Sequence, residues 1–487
     1  MTVDLTILPT PRVPLRWLGE EDRAELAHLL GRIGRKYRRN KLLSDYYDGR
    51  VVARSLGIAV SPEFDQLETV VGWPGTSLDV LHERRSLDHF EVTGSADLQD
   101  ELDAVLDEND WVSEFPQTLL NEMLHGIAFI AVGRSLDNSR VVVLPTSATR
   151  MTCEYNRGDR RITAAASSDE PVRQGDPRQA TFMKPDRTIV VELVGGRYKV
   201  TNEYPNPSGI VPVERFVNRQ RLDEPWGKSE ITPTVLSATD RAVRTLQAME
   251  VAREFFSMPA LFALNVAQDA FVDKDGNQVS AWESYWGKLK ALSGPVDEDG
   301  EPGKLQPDIK QIPGAAPTPL IDMIKMDSMI VAAETGIPPG SLGFVTDNPA
   351  SGEAMAFYEN RLVKRARMRN KVDQGPTSRV ARLVLMAQGH APDSIPSIKP
   401  VFDKPETFAP SSTTDAVTKQ VAARIIPADS DVALEQLGYD RTSVERIQAD
   451  RRKAKAASLI TGLAQLTQLN TGAQDADPTS APAVLAS

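Results

Sequence analysis

A single cysteine, Cys153, stands in the 487 residues of the chain. That excludes a disulfide framework and a cysteine-rich zinc site, and it fits a reducing compartment. Cys153 sits next to Glu154 with no activating neighbour, so it reads as a buried thiol rather than a nucleophile. Histidine is scarce too. His28, His82, His89, His125 and His390 form no His-Glu-x-x-His pattern, and His82 and His89 are too far apart to share adjacent helical turns. No Gly-x-Ser-x-Gly elbow occurs. No run reaches the roughly 18 apolar residues of a membrane span. Met1-Thr-Val-Asp4 has neither the basic start nor the apolar core of a signal peptide. Positive charge is in deficit, with 56 Lys+Arg against 67 Asp+Glu and a net charge of −11. A protein that grips DNA by its phosphates leans the other way, although DNA can pass an acidic surface without being held.

What is present suffices for about three domains with sizeable cores, since 41% of the residues are hydrophobic. The chain starts with an extended, proline-broken segment. Glu20 to Arg39 follows as a helix with a basic end, Arg32, Arg35, Lys36, Arg38, Arg39 and Lys41, read as a solvated helix end. Asp45-Tyr-Tyr-Asp-Gly49 is turn-like. Asp97 to Trp111 and Pro116 to Ile130 are read as helices. The second passes into a strand at Ala128–Val132, which pairs with Val141–Leu144 across Asp137-Asn138. Residues 159–180 are polar and rich in turn formers. Thr188–Val194, Gly195-Gly196 and Arg197–Thr201 make a strong hairpin signal. A long helix then runs from Ser229 or Thr232 to Phe256 and ends at Met258-Pro259.

Residues 260–316 form a separate insertion with turns, prolines and the aromatic group Trp282, Tyr285 and Trp286. It leaves at Phe256 and returns at Pro319, so the flanking helices can lie side by side and antiparallel. The second of them is Pro319–Thr335, stopped by Gly336 and Pro338-Pro339. A loop follows from Ile337 to Asn348. Gly340 and Gly343 give it hinge-like freedom, and Asn348-Pro349 can cap the next helix. That helix holds six cations in eleven residues: Arg361, Lys364, Arg365, Arg367, Arg369 and Lys371. Phosphate contact is one reading of the run; salt bridging to acidic neighbours is the other and is favoured in an acidic chain. Gly375-Pro376 should kink the helix. After a proline-rich stretch to Pro410 come helices at Ser411–Ile425, Asp431–Leu437 and Arg441–Leu469. A tail rich in Ala, Pro, Asp, Ser and Thr follows, of a composition that favours disorder.

Two local motifs lack required parts. Gly227-Lys228-Ser229 looks like the end of a phosphate-binding loop, but that loop needs a glycine where Leu222 stands, and Asp223, Glu224 and Pro225 oppose a phosphate. A structural turn fits better. Asp273-Lys-Asp-Gly-Asn277 places its glycine at position four rather than six of a calcium loop, so it reads as a hairpin turn.

Gly336-Ile-Pro-Pro-Gly-Ser-Leu-Gly343, followed by Asn348-Pro-Ala-Ser-Gly-Glu-Ala-Met355, resembles the tunnel-loop region of portal proteins of tailed phages. A second block agrees: Gly209-Ile-Val-Pro212, Phe216-Val-Asn-Arg219 and Gly227-Lys-Ser-Glu-Ile231 before a long helix. The match is to SPP1-like portals of actinobacteriophages. It implies an α+β, helix-rich portal fold: residues 1–225 as the first part of the wing, 226–257 and 317–336 as stem helices, and 258–316 as an inserted α/β clip. The tunnel loop is then 337–348, the long kinked helix and return to the wing 349–410, the helical crown 411–470, and a disordered tail 471–487.

The resemblance further implies a structural protein without catalytic, cofactor or metal residues. Twelve copies form a ring at one capsid vertex, and double-stranded DNA passes without sequence specificity. The ring docks the terminase large subunit and then the head-tail adaptor. It meets the major capsid protein and a scaffold, assembles in the host cytoplasm and ends in the virion, with no membrane partner. Leu342, Gly343, Phe344, Val345, Thr346, Asp347 and Asn348 become the DNA-channel loop, and Arg241, Arg244 and Lys325 the stem-lumen candidates. Trp282, Tyr285, Trp286, Asp297, Glu298 and Asp299 become candidates for the terminase contact. The competing readings are a metal-dependent nucleic-acid-processing enzyme and another oligomeric head-completion component.

Overall fold

The computed structural model describes residues 16–50, 69–135, 140–173, 176–256, 260–264, 308–312, 316–343, 352–405, 410–439 and 441–472. It divides into two compact units, Met1–Pro405 and Glu406–Ser487. The mixture of helix and antiparallel strand is the α+β, helix-rich class that the sequence suggests.

Helix α1 (Glu20–Tyr47) begins with Glu20, Glu21 and Asp22, whose charge suits the positive end of the helix dipole. Leu26, Leu29, Leu30 and Ile33 recur at helical spacing and are buried. They pack on a five-stranded antiparallel sheet of β4 (Met151–Asn156), β5 (Arg161–Ser168), β6 (Gln179–Met183), β7 (Arg187–Val194) and β8 (Arg197–Pro205), in that order. The expected hairpin is the β7–β8 pair, with Val194 opposite Arg197. Two expectations are corrected here. The helix does not stop at Arg39 but continues through Tyr47, because Leu43 is buried in a further cluster. Residues 159–180 are not mainly turns. They hold β5 and the start of β6, with Ala164, Ala165 and Ala166 fully buried between neighbouring strands.

A second sheet, β3-β2-β9, joins β2 (Ile127–Arg134) to β3 (Val141–Ser147) and to β9 (Val213–Val217), both antiparallel. Before it lie α2 (Trp73–His82), β1 (Leu87–Val92), α3 (Ala96–Glu108) and α4 (Trp111–His125). The expected helix over 97–111 ends earlier. Asn109 donates to the carbonyls of Val105 and Val141 and accepts from the Val143 amide, so it ties the end of α3 to β3.

Two helices flank the insertion: α5 (Pro233–Phe256) and α6 (Thr318–Thr335). Between them β10 (Ala260–Leu264) pairs antiparallel with β11 (Asp308–Ile312), Ala260 opposite Ile312. The insertion therefore leaves and returns at one place. Trp282, Tyr285, Trp286, Asp297, Glu298 and Asp299 lie outside the described residues.

Helix α7 (Gly352–Gln388) is unbroken across Gly375-Pro376, with the Thr377 hydroxyl donating to the Asp373 carbonyl at 2.7 Å. Pro376 thus lies inside one helix that continues on both sides of it; the Asn348-Pro349 cap lies outside the described residues. Val380, Leu383, Val384 and Leu385 pack with Leu102, Val105 and Leu106 of α3 and with Trp111, Phe115 and Phe216. The chain then returns as β12 (Ile398–Phe402), antiparallel to β1.

The second unit holds α8 (Pro410–Ala422), α9 (Asp431–Gln436) and α10 (Arg441–Gly472), close to the three helices read from the sequence. Ser430 caps α9, its side chain accepting from the Ala433 amide. Gln448 of α10 donates to the Asp429 carbonyl and to Asp431, both at 2.7 Å.

Candidate functional site

The two helices around the insertion, the turn that joins α6 to α7 and the cationic run of α7 meet in one cluster. Val235, Ala238 and Ala242 of α5 pack with Val331 and Ala332 of α6 and with Leu362 and Ala366 of α7. Small residues bring the helices close. Arg241 crosses from α5 to Asp327 on α6, with Nη2 2.6 Å and Nε 2.8 Å from Oδ1. Asp327 is almost fully buried, so the ion pair fixes the register of the pair rather than decorating its surface. Arg241, one of the stem-lumen candidates, is thus ion-paired within the chain while its side chain stays half exposed. Arg244 and Lys325 are exposed and make no ion pair among the described residues.

The entry to α5 is a tight crossing. At Gly227 φ is +70°, and a Cβ there would lie 2.2 Å from the Gly126 carbonyl oxygen and 2.4 Å from that of Asn218. The Lys228 amide donates to Asn218 O at 2.9 Å, and the Glu230 amide to Met123 O at 2.9 Å. The Gly-Lys-Ser sequence is therefore a junction of three backbone segments, which supports the structural-turn reading over a phosphate loop.

The exit of α6 is closed by Gly336, whose φ of +75° ends the helix. Arg361 of α7 donates to the carbonyls of Ala333 and Glu334, two groups that the helix end leaves unpaired. Pro339–Leu342 is a short 3-10 turn. Ile337 and Leu342 are buried in the cluster that joins α5, α6 and α7. That removes Leu342 from the expected DNA-facing loop: its side chain belongs to the core. Gly343 is exposed, and Phe344, Val345, Thr346, Asp347 and Asn348 lie outside the described residues.

The cationic run divides in two. Arg365 and Arg369 turn inward onto Glu230, at 2.5 Å and 3.2 Å, and Arg219 reaches the same carboxylate at 3.5 Å. Burial lowers the Arg365 pKa; Glu230 opposes that, and Arg219, Arg369 and Arg361 add to it. Lys364, Arg367 and Lys371 point outward. One turn further on, buried Arg85 holds Glu122 at 3.2 Å and contacts Asp373. Burial, with Glu122 beside it, pushes the Asp373 carboxyl well above the usual carboxylate range. The partners Glu230, Asp327, Glu122 and Arg85 escaped the sequence reading. Glu230 lies far along the chain from the α7 cations, and Asp373 from Arg85; within this site the cations of α7 were the visible run.

On the outer side of α6, Ile321, Met323, Met326 and Met329 are exposed, the last two by 66% and 63%. Among the described residues no group of three or more His, Cys, Asp or Glu could hold a metal ion. Cys153 is buried and its thiol is pushed up to about 12 by that burial. The arrangement suits mechanical work: two clamped helices, a capped turn and a long helix pinned by buried charges.

Residues 26–457 match the family described as phage portal protein, SPP1 Gp6-like. The chain belongs to that family. Membership carries the function with it, a structural role at the portal vertex of a phage. Among curated relatives, the portal protein of Mycobacterium phage L5 is 28% identical over 448 residues, covering 90% of this chain and 88% of that one. The portal protein of Mycobacterium phage D29 is 27% identical over the same length, with the same coverage. Among solved structures, the neck of a native gene transfer agent particle computed with C12 symmetry matches with a TM-score of 0.41 and 14% identity. It covers 75% of this chain and 89% of that chain. The neck of the empty particle, computed with C6 symmetry, gives 0.44 and 13%, covering 80% and 97%.

Proposed function

We propose that the chain assembles into a closed ring of twelve copies around a channel that passes double-stranded DNA into the capsid and later out of it. In this reading the ring docks the terminase large subunit and then the head-tail adaptor, seated among the major capsid protein and scaffold. It forms in the host cytoplasm and remains in the virion. It is not an enzyme; the packaging partner hydrolyses ATP. The wing is 1–225 with its return in 349–410, the stem 226–257 and 317–336, the clip 258–316, the tunnel loop 337–348 and the crown 411–470. Gly343 to Asn348 would face DNA, Arg244 and Lys325 would line the stem, and the aromatic and acidic residues of the clip named above would meet the terminase.

The observation that carries the ring is the exposed face of Ile321, Met323, Met326 and Met329 on α6. A chain of net charge −11 presents a row of methionines on the helix whose other side is locked to α5. Large exposed apolar patches mark interaction surfaces, and in a cyclic assembly the neighbouring copy covers them. The negative sum of many copies favours a channel that repels phosphate and does not trap DNA.

The experiment is negative-stain microscopy with light scattering on the purified chain and on Met326→Asp/Met329→Asp. Rings are expected of the unaltered chain, and monomers with unchanged circular dichroism of the variant. An unaltered chain that stays monomeric at every concentration and salt overturns the proposal.

A further inference from the structure

We propose that neighbouring copies in the ring are joined by a second, electrostatic contact, in which the acidic face of α3 on one copy docks on the basic face of α1 on the next. The proposal rests on the ring reading and adds the partner surfaces.

The two faces are extremes of charge within one acidic chain. From Ser86 to Gly133 the sequence holds eleven Asp and Glu and no Lys or Arg. From Leu26 to Ser44 it holds six Lys and Arg and no Asp or Glu. Folding concentrates both. Asp97, Asp100, Asp103 and Asp107 lie along one exposed stripe of α3, opposite the buried Leu102, Val105 and Leu106. Arg35, Arg38 and Arg39 lie on one exposed stripe of α1.

Local partners take up only part of this charge. Arg32 is paired with Glu154, Lys41 with Asp45, and Lys36 lies over the Trp226 ring at 5.6 Å. Asp103 accepts from Gln99, and Glu101 meets His390. Arg35, Arg38 and Arg39, and Asp97, Asp100 and Asp107, make no ion pair among the described residues. The faces do not satisfy each other within one chain. Helix α1 packs on the five-stranded sheet, and α3 packs in a different cluster against α7.

Each face also carries an exposed apolar residue at its edge, Leu42 beside Arg38 and Arg39, and Val112 just past α3, 47% and 82% exposed. A small apolar spot rimmed by charge is the make-up of a protein interface. DNA would account for the basic face and be repelled by the acidic one. A second copy accounts for both. A contact between unlike faces is heterologous, the kind of contact that builds a ring when its rotation closes.

The test uses the full chain with one face reversed at a time: Arg35→Glu/Arg38→Glu/Arg39→Glu, and Asp97→Lys/Asp100→Lys/Asp107→Lys. Each variant alone presents two faces of one sign and should sediment as monomer with native circular dichroism. Mixed in equal amounts, the two should form closed rings again, because each supplies the face that the other lacks. Ring assembly of either variant alone at the concentration of the unaltered chain overturns the proposal, as does a mixture that stays monomeric. Rings that persist in the α1 variant while DNA retention in a gel shift is lost would assign that face to phosphate instead, and overturn it too. An unaltered chain without rings fails the ring reading itself, which separates the two failures. Where a reversal disturbs folding, the Gln and Asn versions read the same contact. They should raise the concentration of half-assembly at least about tenfold, a loss of 1.4 kcal/mol, and an unchanged value counts against the contact.

Discussion

The side chain of Arg361 lies directly over Gly336: a Cβ on that glycine would sit 2.9 Å from the arginine Cδ. One residue thus ends α6 with a φ of +75° and leaves room for the cation that covers its last carbonyls. Gly336→Ala should strain the backbone and displace Arg361, destabilising the first unit by about 1–3 kcal/mol. Urea denaturation followed by circular dichroism measures this. Arg361→Ala, which only uncaps the helix, should cost less than the glycine change.

Arg241→Ala strands the buried Asp327 carboxylate between α5 and α6. With the arginine half exposed, the expected loss is about 1–2 kcal/mol. Asp327→Asn removes the buried charge along with its partner's role and should be milder. Equal melting temperatures for Arg241→Ala and the unaltered chain would show that water replaces the guanidinium.

Gly227 and Gly340 make a controlled pair. Gly227→Ala meets two carbonyl oxygens inside 2.5 Å at positive φ, whereas a Cβ on Gly340 has nothing within 4 Å. The first should abolish soluble folded protein, a loss above about 4 kcal/mol, and the second should stay within about 1 kcal/mol. Soluble yield and thermal melting read both.

These residues also mark what the sequence could reveal. The stop at Gly336, the turn at Gly195-Gly196 and the presence of the long helices are local signals, and they fell where the chain pattern put them, although α1 runs past its expected end to Tyr47. Strand β5 did not, because Arg-Ile-Thr-Ala-Ala-Ala-Ser-Ser has little intrinsic preference for a strand; burial between β4 and β6 makes it one. The cations of α7 were visible, but Glu230 is more than a hundred residues away, so their division into inward and outward sets is a tertiary fact. The same holds for Leu342, whose apolar character was legible but whose burial partners were not.

His125 gives a pH dependence. Burial, with Arg39 nearby, lowers its pKa to about 4, while Ser44 and Ser147 face its two ring nitrogens at 3.0 Å and 3.2 Å. The unfolded chain takes up this proton near pH 6.5 and the folded one only near 4, so the unfolded state binds more protons between the two. Stability is therefore intact above about pH 6.5 and drains on acidification toward 4, by about 3 kcal/mol at most from this group. His125→Gln should flatten that slope between pH 7 and pH 5 in denaturant titrations. An identical slope would assign the acid sensitivity to other groups.

Cys153 reports the integrity of the two-sheet region. Buried and with its thiol pushed up to about 12, it should resist iodoacetamide in the native chain and react quickly once denaturant is added. Mass spectrometry of the labelled chain follows it. Rapid native labelling at pH 7.5 would mean that β4 opens readily.

Strand β1 ends at Val92 and its partner β12 begins at Ile398, more than three hundred residues later. Arg85 likewise waits for Asp373. This part of the first unit is thus finished from both ends, with α5, the insertion and α6 made in the interval. At about 5–20 residues per second, a ribosome needs roughly 15–60 s to supply the missing strand. For that time the apolar side of α3 lacks the part of its cover that Val380 and Val384 later supply. A nascent chain halted in α5 or α6 would carry that half-covered surface, which makes the interval one in which chaperones and premature self-association compete for the same helix.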